Sequence, residues 1–496
     1  MIDPNTEFET VIGLEVHVQL STDSKIFSTA RARLPQGQSV ADEAVNANTT
    51  PVCTGHPGSL PVLNKKVVEY AIRAGLATDC RVNLKSVFSR KHYFYPDSPK
   101  GYQISQYDLP VCEHGHLDIE LGDESGKRVG ITRIHLEEDA GKNVHLAGFS
   151  LVNLNRAGVP LIEIVSEPDM RSPEEAGAYL RKLYAIVTCL GICDGNLQEG
   201  NFRCDANVSI RPKGQEKFGT RTEIKNVNSF RFVEKAIEYE VQRQKSVLLS
   251  GDKVIQETRL YDSQKNQTFS MRTKEEAEDY RYFPDPDLLP LVIDPDYIEA
   301  LRETLPELPD QKRDRFVKDF GLNKYDATIL TSDKPLAEFF EAALKVLPVL
   351  GISAELGGAK SLANLLTGEV SRLLKESEQE IHSSHFKVEQ FAALVGLLHD
   401  KKISSTAAKQ VIAILFAEGG KVDEIVAREG LTQVSDVSTL EPVIDQIIAA
   451  NPKQVEEFRS GKEKIIGFFV GQAMKATQGK ANPALLQEIV LKKLKG

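Results

Sequence analysis

The 496-residue sequence is poor in the residues that most often cross-link or anchor a chain: it has no tryptophan, six cysteines and four methionines. The cysteines form no CxxC pair, so neither a disulfide framework nor a zinc knuckle is indicated. No apolar run approaches the roughly 20 residues that span a bilayer. The acidic start, MIDPNTEFET, lacks the basic and apolar regions of a secretory signal. We therefore expect a cytoplasmic protein with no membrane partner.

Three common motifs of nucleotide and acyl chemistry are also missing. The sequence contains no GxxxxGK[ST] phosphate loop, no GxGxxG dinucleotide fingerprint and no GxSxG nucleophile elbow. A site for a nucleotide would therefore be of a less familiar kind.

The charge is unevenly distributed along the chain. The net charge of −10 argues against attraction of nucleic acid to the whole surface. From Arg459 to the end, however, eight lysines and arginines face two acids. This basic end is typical of a local footprint for a nucleic acid or other anionic partner, or of a solvated helix face, and charge alone leaves both interpretations open.

The spacing of apolar residues changes near residue 296. Before it, short alternating runs and Gly/Pro turns indicate strands, with two helices predicted, one after a Ser172 cap and one over 229–244. Beyond it the spacing is helical almost throughout. The sequence predicts an α+β fold: a catalytic cradle of mixed or antiparallel β-sheet with few helices (1–296), a helical linker (297–350) and a helical tail (351–496).

The clearest strand pattern is VIGLEVHVQL, residues 11–20. Its apolar residues alternate with Glu15, His17 and Gln19, which would share the opposite face of a strand. An acid and an imidazole two residues apart lie about 7 Å apart along a strand, close enough to hold one ion or phosphate. An ordinary half-buried strand with a polar face is the alternative.

Three further segments place polar groups at strand spacing. In RCDANVSI one face carries four of them in a row: Arg203, Asp205, Asn207 and Ser209. Glu163 is a lone carboxylate in the apolar PLIEIV, where burial requires a partner; an ion pair with Arg156 is the alternative to a functional role. HLEEDAGK (135–142) has three consecutive acids, which a turn would also explain.

Together these segments offer an oxygen-rich set of ligands with one imidazole: Glu15, His17, Glu138, Glu163 and Asp205. Carboxylates suit Mg²⁺ or Mn²⁺, which commonly accompany nucleotide phosphates. The imidazole leaves Mn²⁺ and Zn²⁺ open. We expect these groups to meet around one divalent cation, although periodicity alone does not bring the strands together.

Seven stretches, in one order, resemble the B subunit of bacterial aspartyl/glutamyl-tRNA(Asn/Gln) amidotransferase: VIGLEVHVQL, YFYPDSPKGYQISQYD, HLEEDAGK, NRAGVPLIEIVSEPDMRSPEEA, EGNFRCDANVSIRP, TEIKNVNSF and DYRYFPDPDLLP. The resemblance runs from about Phe8 to Gly496. The final ANPALLQEIVLKKL is similar to the helical tail that this family shares with YqeY-like proteins.

The resemblance implies a carbon–nitrogen ligase that acts on mischarged tRNA. ATP would phosphorylate the side-chain carboxylate of Glu-tRNA(Gln) or Asp-tRNA(Asn), and ammonia would then displace the phosphate. It also implies Mg²⁺, with Mn²⁺ possible, and a heterotrimer in which the A subunit, an amidase, releases ammonia from glutamine and a small C subunit holds both larger chains. The basic tail would then bind tRNA. The alternative is a non-catalytic scaffold that only positions tRNA and partners.

The resemblance also assigns residues. By position, His17, Glu138 and Glu163 match the family's metal ligands, and Glu15 and Asp205 fall in or next to that site, Glu15 as a further ligand. Weaker matches for nucleotide or substrate contacts are Arg203, Asn207, Ser209, Glu223 and Lys225. Two lysines match an ammonia-channel gate, Lys91 and Lys100.

One segment departs from the family. Many members carry zinc-ligating cysteines around residues 27–53, where this sequence has Ser28, Ala30 and Thr50 and keeps only Cys53. One thiolate does not fill a tetrahedral zinc site, so no zinc is expected. The segment would then be held by ordinary packing or lie loose.

Deleting residues 459–496 is predicted to weaken tRNA binding, because each lost phosphate contact removes counterion release. The logarithm of affinity should also fall less steeply with the logarithm of salt concentration, as measured by filter binding or fluorescence anisotropy. Unchanged affinity at several salt concentrations would rule this role out.

Overall fold

The computed structural model describes the chain apart from residues 1–2, 4–5, 35–42, 123–124, 228, 274–279, 353–356, 378, 434–436, 478–480 and 496. Lys480 of the predicted basic end lies outside the described residues. The chain forms two compact units, Met1–Leu308 and Pro309–Gly496. The predicted domain limits at 296 and 350 stay predictions.

The strands all lie in the first unit: β1 Phe8–Gln19, β2 Arg81–Val82, β3 Lys85–Ser86, β4 Phe88–His92, β5 Tyr102–Gln106, β6 Cys112–Glu120, β7 Gly126–Glu138, β8 Lys142–Leu146, β9 Phe149–Asn153, β10 Pro160–Ser166, β11 Phe202–Pro212, β12 Thr222–Val227, β13 Glu257–Asp262, β14 Gln267–Thr273, β15 Phe283–Pro284 and β16 Leu291–Val292. Nine of them form one sheet in the order β14-β13-β12-β11-β1-β10-β7-β6-β2. Neighbours are antiparallel except β12 and β13, which are parallel. The predicted mixed sheet is confirmed.

The described residues of this unit form four α-helices: α1 Lys65–Ala77, α2 Pro173–Cys189, α3 Phe230–Leu249 and α4 Pro295–Glu303. The cap predicted for α2 is present, since the Ser172 hydroxyl accepts a hydrogen bond from the Glu175 N–H at 3.2 Å. Ser229 caps α3 in the same way, and this helix runs beyond the predicted residue 244.

One face of the central strand β1 is fully buried. Ile12, Leu14, Val16 and Val18 are at most 1% exposed and form a single core with apolar residues of α1, α2 and α3. Because successive side chains of a strand alternate between faces, burying this side turns Glu15, His17 and Gln19 to the other.

The second unit is helical throughout its described part: α5 Pro309–Phe320, α6 Lys324–Ser332, α7 Lys334–Val346, α8 Ala359–Leu365, α9 Ser371–Ser377, α10 Val388–His399, α11 Ser405–Glu418, α12 Val422–Arg428, α13 Val437–Ala450, α14 Pro452–Arg459, α15 Ile466–Ala476 and α16 Pro483–Lys495. It contains two apolar cores, one between Phe316 and Val426 and one between Leu440 and Leu494. No helix of the described residues is long and apolar enough to cross a membrane.

Replacing Leu180 of α2 with alanine is predicted to destabilise the first unit by about 2–5 kcal/mol, because the side chain is fully buried and leaves a cavity. Denaturant unfolding measures the change. Leu289→Ala, at a side chain that is 89% exposed, is the matched control and should have almost no effect. Equal losses in the two variants would contradict this packing.

Candidate metal centre

Strand register brings the polar residues of four neighbouring strands together. His17 of β1 lies opposite Glu163 of β10 on one side and Arg203 of β11 on the other. Glu163 in turn lies opposite His135 of β7. Directly paired residues point to the same face of a sheet, so a row of charged groups crosses the middle of the sheet on its polar face.

His17 and Glu163 form a compact group with Glu137 of β7. His17 Nε2 lies 3.5 Å from Glu137 Oε1 and 3.4 Å from Glu163 Oε2. One ligand atom from each residue lies within 4.8 Å of the others. The two carboxylates are buried, whereas His17 is partly accessible. This metal-centre triad (His17, Glu137 and Glu163) is the one group of its kind found among the described histidines, cysteines and acids.

A second histidine lies beside the triad. His135 Nε2 is 3.2 Å from Glu163 Oε2 and 3.8 Å from Glu137 Oε2, and its ring is buried. It lies where a hydrogen bond from the ring would fix the orientation of Glu163, as outer partners of metal ligands commonly do.

The electrostatics of the triad favour a bound cation. Burial lowers the pKa of His17, but the hydrogen bond and charge of Glu163 outweigh it and raise the pKa to about 9. Burial raises the pKa of Glu163, but the charges and hydrogen bonds of His135 and His17 outweigh burial and hold this pKa well below its usual range. The pocket therefore stabilises positive charge, which a proton or a divalent metal would supply.

The donor set of the triad fits a metal ion. Two carboxylates and one imidazole suit Mn²⁺, and the carboxylates suit Mg²⁺. Since metal binding requires a neutral imidazole, the ion would displace the proton that the acids place on His17.

Glu138 does not join the triad. Its Oε1 accepts a hydrogen bond from the Ile104 N–H at 2.9 Å and lies 2.5 Å from Lys100 Nζ. Neighbouring residues of a strand point to opposite faces, so β7 directs Glu137 and Glu138 away from each other. Glu137 and not Glu138 therefore completes the triad in this geometry, and the assignment of Glu138 as a metal ligand stays a prediction.

The two predicted gate lysines lie near different acids of β7, Lys100 near Glu138 and Lys91 near Glu137. Lys100 pairs with Glu138. Lys91 lies 4.9 Å from the centre of the Tyr280 ring. Burial lowers the pKa of Lys91, but the charges of Glu137, Tyr282 and Glu163 together outweigh burial and raise that pKa.

A second polar group lies along β1 and β11, two residues from the triad. Asn207 Nδ2 donates to Glu15 Oε1 at 2.9 Å. Asp205, directly opposite Glu15, lies 2.8 Å from Lys225 Nζ, which also lies 3.1 Å from Glu223 Oε1. Glu15 and Asp205 thus lie next to the triad but outside it, and the assignment of Glu15 as a further metal ligand stays a prediction. Burial and the charge of Glu163 raise the pKa of Glu15.

Arg203 and Ser209, at opposite ends of the β11 row, have different surroundings. Arg203 Nη2 lies 3.1 Å from Asp139 Oδ2, which also pairs with Arg156 at 3.4 Å. The proposed alternative, an ion pair between Glu163 and Arg156, is therefore wrong. Ser209 lies opposite Val11, six residues or about 20 Å along the strand from Arg203, and is not brought to the triad.

A polar cavity of about 1100 Å³ begins where β1 ends. Its lining includes Gln19, two residues beyond His17, together with Arg33, Asn48, Lys142 and Arg156. A substrate whose reacting end lies at the triad could extend into this space.

Sequence reasoning missed Glu137 and His135. The signal was available, because RIHLEE repeats in reverse the acid–x–imidazole spacing of Glu15 and His17. Alternation along β7 places His135 and Glu137 on one face, and the lone Glu163 indicated that the neighbouring strand faced the same centre.

Comparison with known proteins identifies the class of this site. The family profile of the GatB/GatE catalytic domain matches residues 10–299, and that of the GatB domain matches residues 349–494. The triad and all of the sheet but the first two residues of β1 lie within the first match.

Full-length relatives specify the family. The B subunits of aspartyl/glutamyl-tRNA(Asn/Gln) amidotransferase from Halorhodospira halophila and Trichlorobacter lovleyi are each 56% identical to this chain, over 492 and 490 residues. The Geobacter sulfurreducens protein of the same name is 56% identical over 497 aligned residues. Each alignment covers 99% of this chain and 100% of the relative. The chain belongs to the family of aspartyl/glutamyl-tRNA(Asn/Gln) amidotransferase B subunits.

Glu137→Gln is predicted to weaken Mn²⁺ binding at least about tenfold, because it removes a charged ligand while keeping the shape of the side chain. Glu138→Gln, one residue along the same strand, is the matched control and should bind Mn²⁺ as the unmodified chain does. Electron paramagnetic resonance of free Mn²⁺ measures both affinities. A larger loss in Glu138→Gln than in Glu137→Gln would overturn the assignment.

Proposed function

We propose that this chain is the catalytic subunit of a tRNA-dependent amidotransferase. It activates the side-chain carboxylate of Glu-tRNA(Gln), Asp-tRNA(Asn) or both by phosphorylation with ATP, and it directs ammonia to the activated acyl group. The reaction class is a carbon–nitrogen ligase with glutamine as the amido-nitrogen donor. The observation that carries the proposal is the buried His17–Glu137–Glu163 triad on the polar face of a sheet whose family the full-length relatives share.

The chemistry explains why such a site is needed. A carboxylate is a poor acyl donor until one oxygen becomes part of a phosphate leaving group. When bound, Mg²⁺ (or Mn²⁺) would neutralise negative charge on the nucleotide phosphates. The triad would hold this ion, with Glu15 and Asp205 beside it.

The remaining polar residues of β11 and β12 have candidate partners on the nucleotide. Lys225 and Asn207 both lie beside Glu15 and Asp205, at one end of the triad. A lysine and a carboxamide at this position would contact phosphate oxygens, with Glu223 fixing the lysine. Arg203, directly opposite His17 on β11, would face the aminoacyl end of the tRNA.

Ammonia would reach the triad past Lys91 and Lys100. Lys100 pairs with Glu138, and the charge of the neighbouring residue Glu137 acts on Lys91, so a path between these two acids would pass both lysines. The relatives are each named as one subunit of an amidotransferase, which implies a complex of several chains. We propose the complete set as this chain, an A subunit with glutaminase activity and a C subunit, with the basic tail binding tRNA in the cytoplasm.

A non-catalytic scaffold would have no use for the triad. Burying two carboxylates and two histidines side by side costs free energy that a tRNA-positioning surface does not require. The geometry therefore favours the catalytic role.

Reconstitution with the partner subunits tests the proposal. His17→Ala and Glu163→Ala are each predicted to reduce Glu-tRNA-dependent ATP cleavage at least about 100-fold, because both lose a group of the centre that handles the phosphates. Binding of Glu-tRNA, measured separately, should be retained. Full turnover with unchanged metal dependence in both variants would support the scaffold instead.

A further inference from the structure

A lysine without access to solvent lies just beyond β1. Lys25 is 0% exposed, and its Nζ donates to the Asn48 carbonyl oxygen at 2.9 Å and to Cys53 Sγ at 3.7 Å. Burying an ammonium without a compensating negative charge is costly. The charge state of Lys25 therefore depends on the charge state of the Cys53 sulfur that it contacts.

The sulfur has three polar neighbours. Cys53 is buried, and its Sγ lies 3.3 Å from Ser28 Oγ and 3.2 Å from Thr50 Oγ1. The Lys25 ammonium and two hydroxyls that are able to donate thus converge on one sulfur. A neutral thiol gains little from such an arrangement, whereas a thiolate is stabilised by each charge-assisted hydrogen bond.

Electrostatics agree with this geometry. Burial raises the pKa of the Cys53 thiol, but hydrogen bonds from Ser28 and Thr50 and the charge of Lys25 outweigh it and leave the pKa below its usual range. Burial lowers the pKa of Lys25, and the charge and hydrogen bond of Cys53 are the largest of the effects that oppose this and favour the ammonium form. Cys193 shows the contrast, because burial without a lysine raises its pKa to about 12.

These residues do not fit a zinc ion. The resemblance implies zinc-ligating cysteines here, but one sulfur and two hydroxyls do not form a tetrahedral zinc site, and the ammonium already lies against the sulfur. Ala30 contributes only its carbonyl oxygen, which accepts a hydrogen bond from the backbone N–H of Lys25 at 2.9 Å. In the described part of the segment this polar cluster adds to apolar packing, since Phe27 is buried in the main core.

We propose that Lys25 and Cys53 form a buried ammonium–thiolate pair that takes the structural place of a metal ion. It fastens the chain after β1 to the loop that contains Asn48 and Thr50. This segment forms part of the wall of the polar cavity, through Arg33 and Asn48. The pair thereby sets the shape of one side of the cavity without a cofactor.

Carbon-13 labelling of the cysteine Cβ atoms in the full chain tests the ionisation directly. At neutral pH the Cys53 signal is expected at the chemical shift of a thiolate, and the Cys193 signal at that of a thiol. Cys53→Ala or Lys25→Met assigns the Cys53 signal, and in Lys25→Met it should move to the thiol position. A Cys53 thiol signal in the unmodified chain would overturn the proposal.

A double-mutant cycle tests the pairing. Cys53→Ala should lower the Tm, because it leaves the Lys25 ammonium buried without its counter-charge. Adding Lys25→Met should raise the Tm of that variant, since the unpaired charge is gone. Combining Lys25→Met with Cys193→Ala, the matched control, should instead lower the Tm further. If the double variant Lys25→Met/Cys53→Ala had a lower Tm than Cys53→Ala, the two side chains would stabilise the fold by packing alone, which would contradict the proposal.

Metal analysis separates the pair from a zinc site. Full chain produced with added zinc is expected to carry the same zinc content with and without Cys53→Ala, and chelator treatment should leave its Tm unchanged. One equivalent of zinc that is lost in Cys53→Ala would overturn the proposal.

Discussion

The pairing of β1 with β10, and of β10 with β7, is the constraint on which the site depends. It places His17 opposite Glu163 and Glu163 opposite His135. A shift of either register by one residue would turn the whole polar row of that strand into the apolar core. The buried side of β1, packed against three helices, prevents such a shift. The apolar face thus fixes the chemistry of the opposite face.

The charge balance of the site follows from this geometry. Two carboxylates held together against His17 and His135 stabilise positive charge. At the margin Lys100 pairs with Glu138, and Lys91 feels the charge of Glu137. Such a site is suited to bringing a cation and a polyphosphate together. The lysine–cysteine pair beyond β1 applies the same principle for structure rather than catalysis, with an internal cation against an internal anion.

Alternation in the sequence was enough to predict the strand at residues 11–20, its polar face and the mixed sheet. It could not predict which strands are neighbours, because that order is set by packing across long sequence separations. Choosing between Glu137 and Glu138 required the pairing register of β7 with β10, which shows which alternate residues of β7 share a face with Glu163. Lys25 gave no periodic signal, since its role depends on a loop more than 20 residues away. The reaction was predicted from the resemblance to the family, because the spacing of residues carries no information about a substrate.

The proposed reaction requires one divalent cation between His17, Glu137 and Glu163. Anomalous diffraction from a crystal of the chain soaked in Mn²⁺ would locate this ion. A manganese peak is expected at coordination distance from the His17 nitrogen and from carboxylate oxygens of Glu137 and Glu163. A peak bound to Glu138 instead of Glu137, or none within reach of His17, would contradict it.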